Sequence, residues 1–120
     1  MYRVVLADDE DRFREWLRSL LGRRKEFKIV GEARTGKDAC DLAASLRPDL
    51  VIADIYMPDG DGLDVPRSLR RHQPEIKTIL ISAHTDRAYQ QLAEEAQALA
   101  FIPKSRVSLD ALMEHLEPET

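Results

Sequence analysis

The chain reads as an α/β protein: a doubly wound (βα)5 arrangement in which five strands form one parallel sheet with helices on both faces. Short apolar runs alternate regularly with longer amphipathic stretches. Most of the runs are continuously apolar, as strands buried on both sides require. Strand-helix-strand units repeated in this way imply right-handed crossovers between parallel neighbours.

The predicted strands are Val4 to Ala7, Lys28 to Val30, Leu50 to Ala53, Thr78 to Ile81 and Leu99 to Ile102. In the first amphipathic stretch, Phe13, Trp16, Leu17, Leu20 and Leu21 share a helical face, and Gly22 supplies a stop signal. Ala39, Leu42, Ala43 and Leu46 form the second stripe, closed by Pro48. Leu63 and Leu69 mark a third helix, in which Pro66 is tolerable only in the first turn. Ala88, Leu92, Ala93 and Ala96 mark the fourth. Leu109, Leu112, Met113 and Leu116 mark the fifth, with Ser108 as its cap and Asp110 in its first turn.

A length of 120 residues fits one domain over residues 1–120, and 43% hydrophobic content is ample for a single core. A net charge of −4 argues against a nucleic-acid grip by this segment itself. The charged fraction of 33% and mean hydropathy of −0.41 describe a soluble domain. No apolar run approaches the roughly 20 residues of a membrane helix. The opening run Val4 to Ala7 is too short for a signal peptide, and Asp8 and Asp9 interrupt it. A single cysteine, Cys40, leaves no internal disulfide and makes a cytoplasmic location the expectation.

Open parallel sheets bind ligands beyond the carboxyl ends of their strands. The residues expected there are Asp8 and Asp9 after the first strand, Asp54 after the third, Ser82 after the fourth and Lys104 after the fifth. Carboxylates gathered at roughly 4 Å repel by about 4 kcal/mol per pair at an effective dielectric near 20. They stay ionised together only beside a cation. An all-oxygen donor set without clustered His or Cys fits Mg²⁺ rather than zinc. A carboxylate next to Mg²⁺ can attack a phosphoryl group, with Lys104 and Ser82 holding its oxygens. Taken singly, each residue has an ordinary explanation. Asp8 or Asp9 could cap a helix, Asp54 before Pro58 and Gly60 could form a turn, and Lys104 could be solvated. Their convergence on the strand ends of one sheet is what points to chemistry.

These residues also carry a family resemblance that covers essentially the whole chain. Val5-Leu6-Ala7-Asp8-Asp9-Glu10, Pro48 through Pro58, Gly62-Leu63, Ile81-Ser82-Ala83 and Phe101-Ile102-Pro103-Lys104 resemble the receiver domains of bacterial response regulators. The resemblance implies a flavodoxin-like sheet of strand order 2-1-3-4-5. It implies Asp54 as phosphoacceptor, with Mg²⁺ bound by Asp8, Asp9, Asp54 and the backbone carbonyl of Tyr56. Ser82 and Phe101 match the hydroxyl and aromatic switch positions, and Lys104 matches the family lysine. The implied partners are a sensor histidine kinase and a second copy of the chain on phosphorylation, paired through the first and fifth or the fourth and fifth helices. DNA would be reached only through an output domain, and no membrane is involved. In such a domain catalysis is limited to uptake of its own phosphoryl group and its slow loss.

Gly31-Glu32-Ala33 leading to Gly36, and Lys104 followed by Ser105 instead of proline, resemble receivers that carry a LuxR-type helix-turn-helix output domain controlling transcription. No such domain follows Pro118-Glu119-Thr120, so the chain is expected to be a stand-alone receiver or one part of a longer protein. Some positions depart from the family pattern. Gln97-Ala98-Leu99-Ala100 lacks the two glycines common before the switch aromatic, which predicts a stiffer turn there. The lysine-proline peptide is missing, and Phe101 lacks the hydroxyl of the commoner tyrosine.

Other features read as structural. Gly31 to Asp38 nearly matches the phosphate-loop pattern G-x-x-x-x-G-K-[ST], but Asp38 stands where the hydroxyl should be, so a strand-to-helix turn is expected. Arg23-Arg24-Lys25 and Arg70-Arg71-His72 suit helix C-termini. Trp16 reads as core or interface packing and Cys40 as packing against its helix neighbours, and His84 and His115 lack partners spaced for a metal. Two other function classes compete. Haloacid-dehalogenase-like phosphohydrolases carry a second Asp two residues after the nucleophile, where this chain has Tyr56. A receiver that never takes phosphoryl would need an obstruction, which Tyr56 and His84 could supply beside the site.

Overall fold

The computed structural model describes residues 1–57, 62–83 and 87–117. Strands β1 (Tyr2–Ala7), β2 (Phe27–Ala33), β3 (Leu50–Asp54), β4 (Lys77–Ser82) and β5 (Ala100–Pro103) alternate with helices α1 (Asp11–Leu21), α2 (Gly36–Leu46), α3 (Asp64–His72), α4 (Arg87–Glu95) and α5 (Leu109–Leu116). The strands pair in parallel in the order β2-β1-β3-β4-β5, the flavodoxin-like order expected from the resemblance.

The sheet separates two apolar layers. Val5, Val51, Ala53 and Leu80 point to one side, where Ala39 and Ala43 of α2, Leu69 of α3 and Ala93 of α4 cover them. Leu6, Ile52, Ile79 and Ile81 point to the other, under Leu17 and Leu21 of α1 and Leu112 and Leu116 of α5. Every residue of β3 is buried, because it runs through the middle of the sheet with helices on both faces. Each fully buried Leu or Ile contributes about 1.5–3 kcal/mol relative to exposure, so Leu50 and Ile52 anchor the central strand in the core.

The helix ends follow the sequence with some differences. Ser108 caps α5 by accepting from the Ala111 N–H, and Pro66 falls in the first turn of α3. Thr35 caps α2 by accepting from the Asp38 N–H, which makes the near phosphate-loop a strand-to-helix turn, with Gly31 and Glu32 inside β2. The carboxyl end of α2 is closed by Arg3, whose guanidinium donates to the carbonyls of Leu46 and Arg47 at 2.7 and 2.9 Å. Gly22 ends α1 while staying right-handed, at φ −63°, so it does not act as a left-handed stop. Trp16 is 45% exposed and is not a core residue. The buried stripe of α1 is Leu17 and Leu21, and a residue one position before Leu17 is turned about 100° away from it.

β2 is longer than its apolar run because it is an edge strand, paired only with β1 among the described strands. Its pairing passes a register shift between Val4 and Val5, after which Val5 faces Gly31 and Leu6 faces the polar Glu32. Leu99 lies just outside β5 and is 41% exposed. No described helix is long and apolar enough to cross a membrane.

Candidate functional site

The strand order reverses direction between β1 and β3, the place where an open parallel sheet forms a crevice at the carboxyl ends of its strands. Asp8 directly follows β1 and Asp54 is the last residue of β3. Ala7 pairs with Ala53, so the two acids leave the sheet side by side. Asp8 and Asp54 are buried, at 2% and 6% exposure, whereas Asp9 is exposed at the rim. One carboxylate oxygen from each of Asp8, Asp9 and Asp54 lies within 4.8 Å of the others. Ser82 ends β4, fully buried, one residue past the Asp54–Ile81 pairing. Lys104 follows β5 and reaches back across the crevice.

Lys104 Nζ stands 2.7 Å from Asp54 Oδ2, 2.8 Å from Asp8 Oδ2 and 3.3 Å from Glu10 Oε2. It also sits 4.6 Å from the centre of the Phe13 ring. The other oxygens of the two buried acids are held by the chain: Asp8 Oδ1 accepts from the Glu10 N–H and Asp54 Oδ1 from the Tyr56 N–H, at 2.8 and 2.9 Å. Burial raises the Asp8 carboxyl above its ordinary range, against the pull of Lys104 and the Glu10 N–H. Burial likewise raises Asp54, against the pull of Lys104 and with the help of nearby Asp9. Desolvation alone would lower the pKa of Lys104, but Asp54 and Asp8 outweigh it and hold the ammonium well above its usual value.

The donor set fits a hard divalent ion. Asp8 Oδ2 is buried and meets only the Lys104 ammonium among the described residues, and a carboxylate oxygen so placed has a further lone pair to give. The cluster offers only carboxylate oxygens, the ligands Mg²⁺ prefers.

Among the described residues, Asp8, Asp9, Asp54 and Lys104 converge at one point, with Ser82 at the adjoining strand end. Phe101 lies apart in β5, half-buried, bordering a cleft with Gln90, Pro103 and Arg106. Tyr56 follows β3 and is 46% exposed, its ring in edge contact with Tyr89 of α4. Pro58, Gly60, His84 and Pro118-Glu119-Thr120 lie outside the described residues.

Glu10, Phe13 and Arg14 also belong to the neighbourhood, although sequence reasoning gave none of them a role. Phe13 reads as one more apolar helix position, and nothing in the pattern shows that a lysine 91 residues away ends over its ring. Gly62 was part of the resemblance, but its reason is visible only in three dimensions. Its N–H donates to the Ile55 carbonyl at 2.8 Å, and a Cβ would come within 2.7 Å of the Asp54 carbonyl carbon.

Known proteins place the chain in context. The model of the response regulator receiver domain matches residues 4–117. The transcriptional regulatory protein DegU of Brevibacillus brevis is 30% identical over 93% of this chain and 47% of its own length. A protein-glutamate methylesterase/protein-glutamine glutaminase of Alkalilimnicola ehrlichii is 35% identical over 96% of this chain and 30% of its own length. The chain thus spans about half the length, or less, of these curated relatives. The signal receiver domain of the response regulator NarL from Mycobacterium tuberculosis superposes with a TM-score of 0.91 at 30% identity, covering 98% of both chains.

Proposed function

The chain belongs to the response regulator receiver domain family, and from that premise we propose that it is a phosphoacceptor switch that takes a phosphoryl group onto Asp54 from a sensor histidine kinase. The observation that carries this reading is the pair of buried acids beside one lysine. Asp54 and Asp8 share Lys104 at 2.7 and 2.8 Å at the open end of the sheet.

In the transfer, an oxygen of Asp54 forms the bond to phosphorus as the bond from phosphorus to the donor breaks. The Tyr56 N–H on Oδ1 and Lys104 on Oδ2 hold the carboxylate in place before attack. Lys104 then stays with the new group as a fixed positive charge on a phosphoryl oxygen, and the Ser82 hydroxyl donates to another. Asp8, Asp9, Asp54 and the Tyr56 carbonyl would hold Mg²⁺, which offsets negative charge on the transferring oxygens.

Charge-assisted hydrogen bonds contribute about 1.5–3 kcal/mol each. Two of them approach the roughly 5.5 kcal/mol that turns a 1:99 equilibrium into 99:1. The readout is repacking of Phe101 and of the surface made by α4, β5 and α5, which would favour pairing with a second copy. DegU is named a transcriptional regulator, and the LuxR-type features of this sequence favour a transcriptional output over an esterase one. DNA would be bound by that output domain, and the setting would be cytoplasmic.

The test is intact mass after incubation with acetyl phosphate, with and without Mg²⁺, for the wild type and Asp54→Asn. A single Mg²⁺-dependent adduct absent from Asp54→Asn is the expected result. No adduct on the wild type would leave a receiver that works by binding alone.

A further inference from the structure

Asp8 and Asp9 are joined by a peptide that no regular element holds, yet the Asp9 carboxylate must face Asp54 across the crevice. Asp8 is the first residue past β1, and its N–H donates to the Ala33 carbonyl at 3.0 Å. Its carbonyl oxygen, the acceptor half of the Asp8–Asp9 peptide, receives Nη1 of Arg14 at 2.6 Å. The same guanidinium meets Glu32 Oε1 through Nε and Asp11 Oδ1 through Nη2, both at 2.8 Å. Its side chain is 14% exposed, unlike Arg18 and Arg34 of the same network, which are 48% and 60% exposed.

An exposed arginine-carboxylate pair contributes little. A half-buried arginine whose guanidinium has three oxygen partners on three sides is a different object, because its plane fixes all three directions at once. One of those directions is the tilt of the peptide from which Asp9 departs.

We propose that Arg14 is a positioning residue for the acidic site: it locks the Asp8–Asp9 peptide against Glu32 at the end of β2, so that the Asp9 carboxylate is held toward Asp54. This rests on the reading of the acid cluster as an Mg²⁺ site. Partners that orient metal ligands without touching the metal typically change affinity by about 10–100-fold when removed. Lysine at this position reaches the carbonyl or Glu32 but not both, so it serves only partly.

The experiment is Mg²⁺ titration by calorimetry on the full chain, with ¹⁵N relaxation of the Asp9 and Glu10 amides in the metal-free protein. The variants are Arg14→Met, Arg14→Lys and Arg18→Gln, the last cutting the Glu32 network without touching Asp8. Arg14→Met is expected to weaken Mg²⁺ binding by about tenfold or more. It should also lower the two order parameters from about 0.85 toward 0.6. Arg14→Lys should fall between, and it stands in if Arg14→Met fails to fold. Arg18→Gln should match the wild type. Wild-type affinity and rigid amides in folded Arg14→Met overturn the proposal, as does equal loss in Arg18→Gln. A wild type that binds no Mg²⁺ defeats the metal reading instead, and the amide order parameters still decide whether Arg14 locks the peptide.

Discussion

Lys104 Nζ lies 2.7 Å from Asp54 Oδ2 and 2.8 Å from the second buried carboxylate, Asp8 Oδ2. The lysine is the counter-charge that lets two buried acids share one crevice in the absence of metal. Removing one partner of a buried pair leaves the others uncompensated, at a cost of up to about 3–5 kcal/mol. Here the orphaned acids can relieve part of that cost by taking a proton.

Lys104→Met should therefore destabilise the metal-free protein by about 2–3 kcal/mol at neutral pH. Urea unfolding in the presence of a chelator measures it. Mg²⁺ should restore most of the loss, and the loss should be smaller at an acidic pH, because carboxyls raised by burial take up a proton more readily as pH falls. An equal loss at both pH values would mean that packing, not carboxylate repulsion, sets the cost.

Asp54→Asn should act in the opposite sense. Because burial raises the Asp54 carboxyl, the folded state keeps a proton that the unfolded chain has already released above about pH 3.9. Stability rises with pH only where the unfolded state binds more protons, so here it falls as pH climbs from that point through the raised folded value. Asn carries no such loss. The metal-free variant should be more stable than the wild type at neutral pH, and the gap should close as pH is lowered toward 4. Lys104 has the matching alkaline behaviour. Its stabilising share is intact below its ordinary value of 10.5 and is lost only as pH rises through its raised folded value. Chemical unfolding at a series of pH values, with chelator, would show both trends.

The parts of this molecule that were legible in the sequence are those fixed by period and by strand ends. The apolar runs located all five strands, and Asp8, Asp9, Asp54, Ser82 and Lys104 stand at or just past the carboxyl ends where those runs put them. The strand order came only from the resemblance, since periodicity does not say which strands are neighbours. Contacts that depend on the packing of α1 over the crevice were not legible. The ring of Phe13 under Lys104 and the hydrogen bond from Arg14 to the Asp8 carbonyl have no sequence signature. Trp16 is not in the core because one residue of helical phase separates a buried face from an exposed one, and of its two readings, core or interface, exposure removes only the first.

The turn before β5 shows a departure from the family pattern being absorbed. Gln97 N–H donates to the Glu94 carbonyl and Ala98 N–H to the Ala93 carbonyl, the paired bonds that close a helix through a left-handed residue. Gln97 is that residue, at φ 61°, where glycine would be at ease and a side chain costs about 1–2 kcal/mol. The turn geometry thus survives without glycine, with strain in place of flexibility. Gln97→Gly should stabilise the protein by about 1 kcal/mol, part of the gain being offset by the freer unfolded chain. Thermal and urea unfolding check it, and an unchanged or lower midpoint would show that the Gln97 side chain contributes more than its backbone costs.

Gly62 poses the reverse case, a glycine whose side of the chain is already occupied. It lies against the end of β3 at Asp54, its N–H donating to the Ile55 carbonyl at 2.8 Å. A Cβ there would stand 2.7 Å from the Asp54 carbonyl carbon and 2.9 Å from the Ile55 Cα. These are backbone atoms of a fully buried strand end, so they cannot swing aside as a flexible side chain would. Either the loop lifts or β3 shifts, and each loses the Gly62–Ile55 hydrogen bond. Gly62→Ala should cost about 3 kcal/mol or more, the upper range for overpacking. Because the displaced atoms belong to Asp54 itself, phosphoryl uptake from acetyl phosphate should fall well beyond what the unfolded fraction explains. Measuring uptake per folded molecule, at a temperature where the variant is still native, separates the two effects. Normal uptake in the folded variant would show that the loop, and not the strand, gives way.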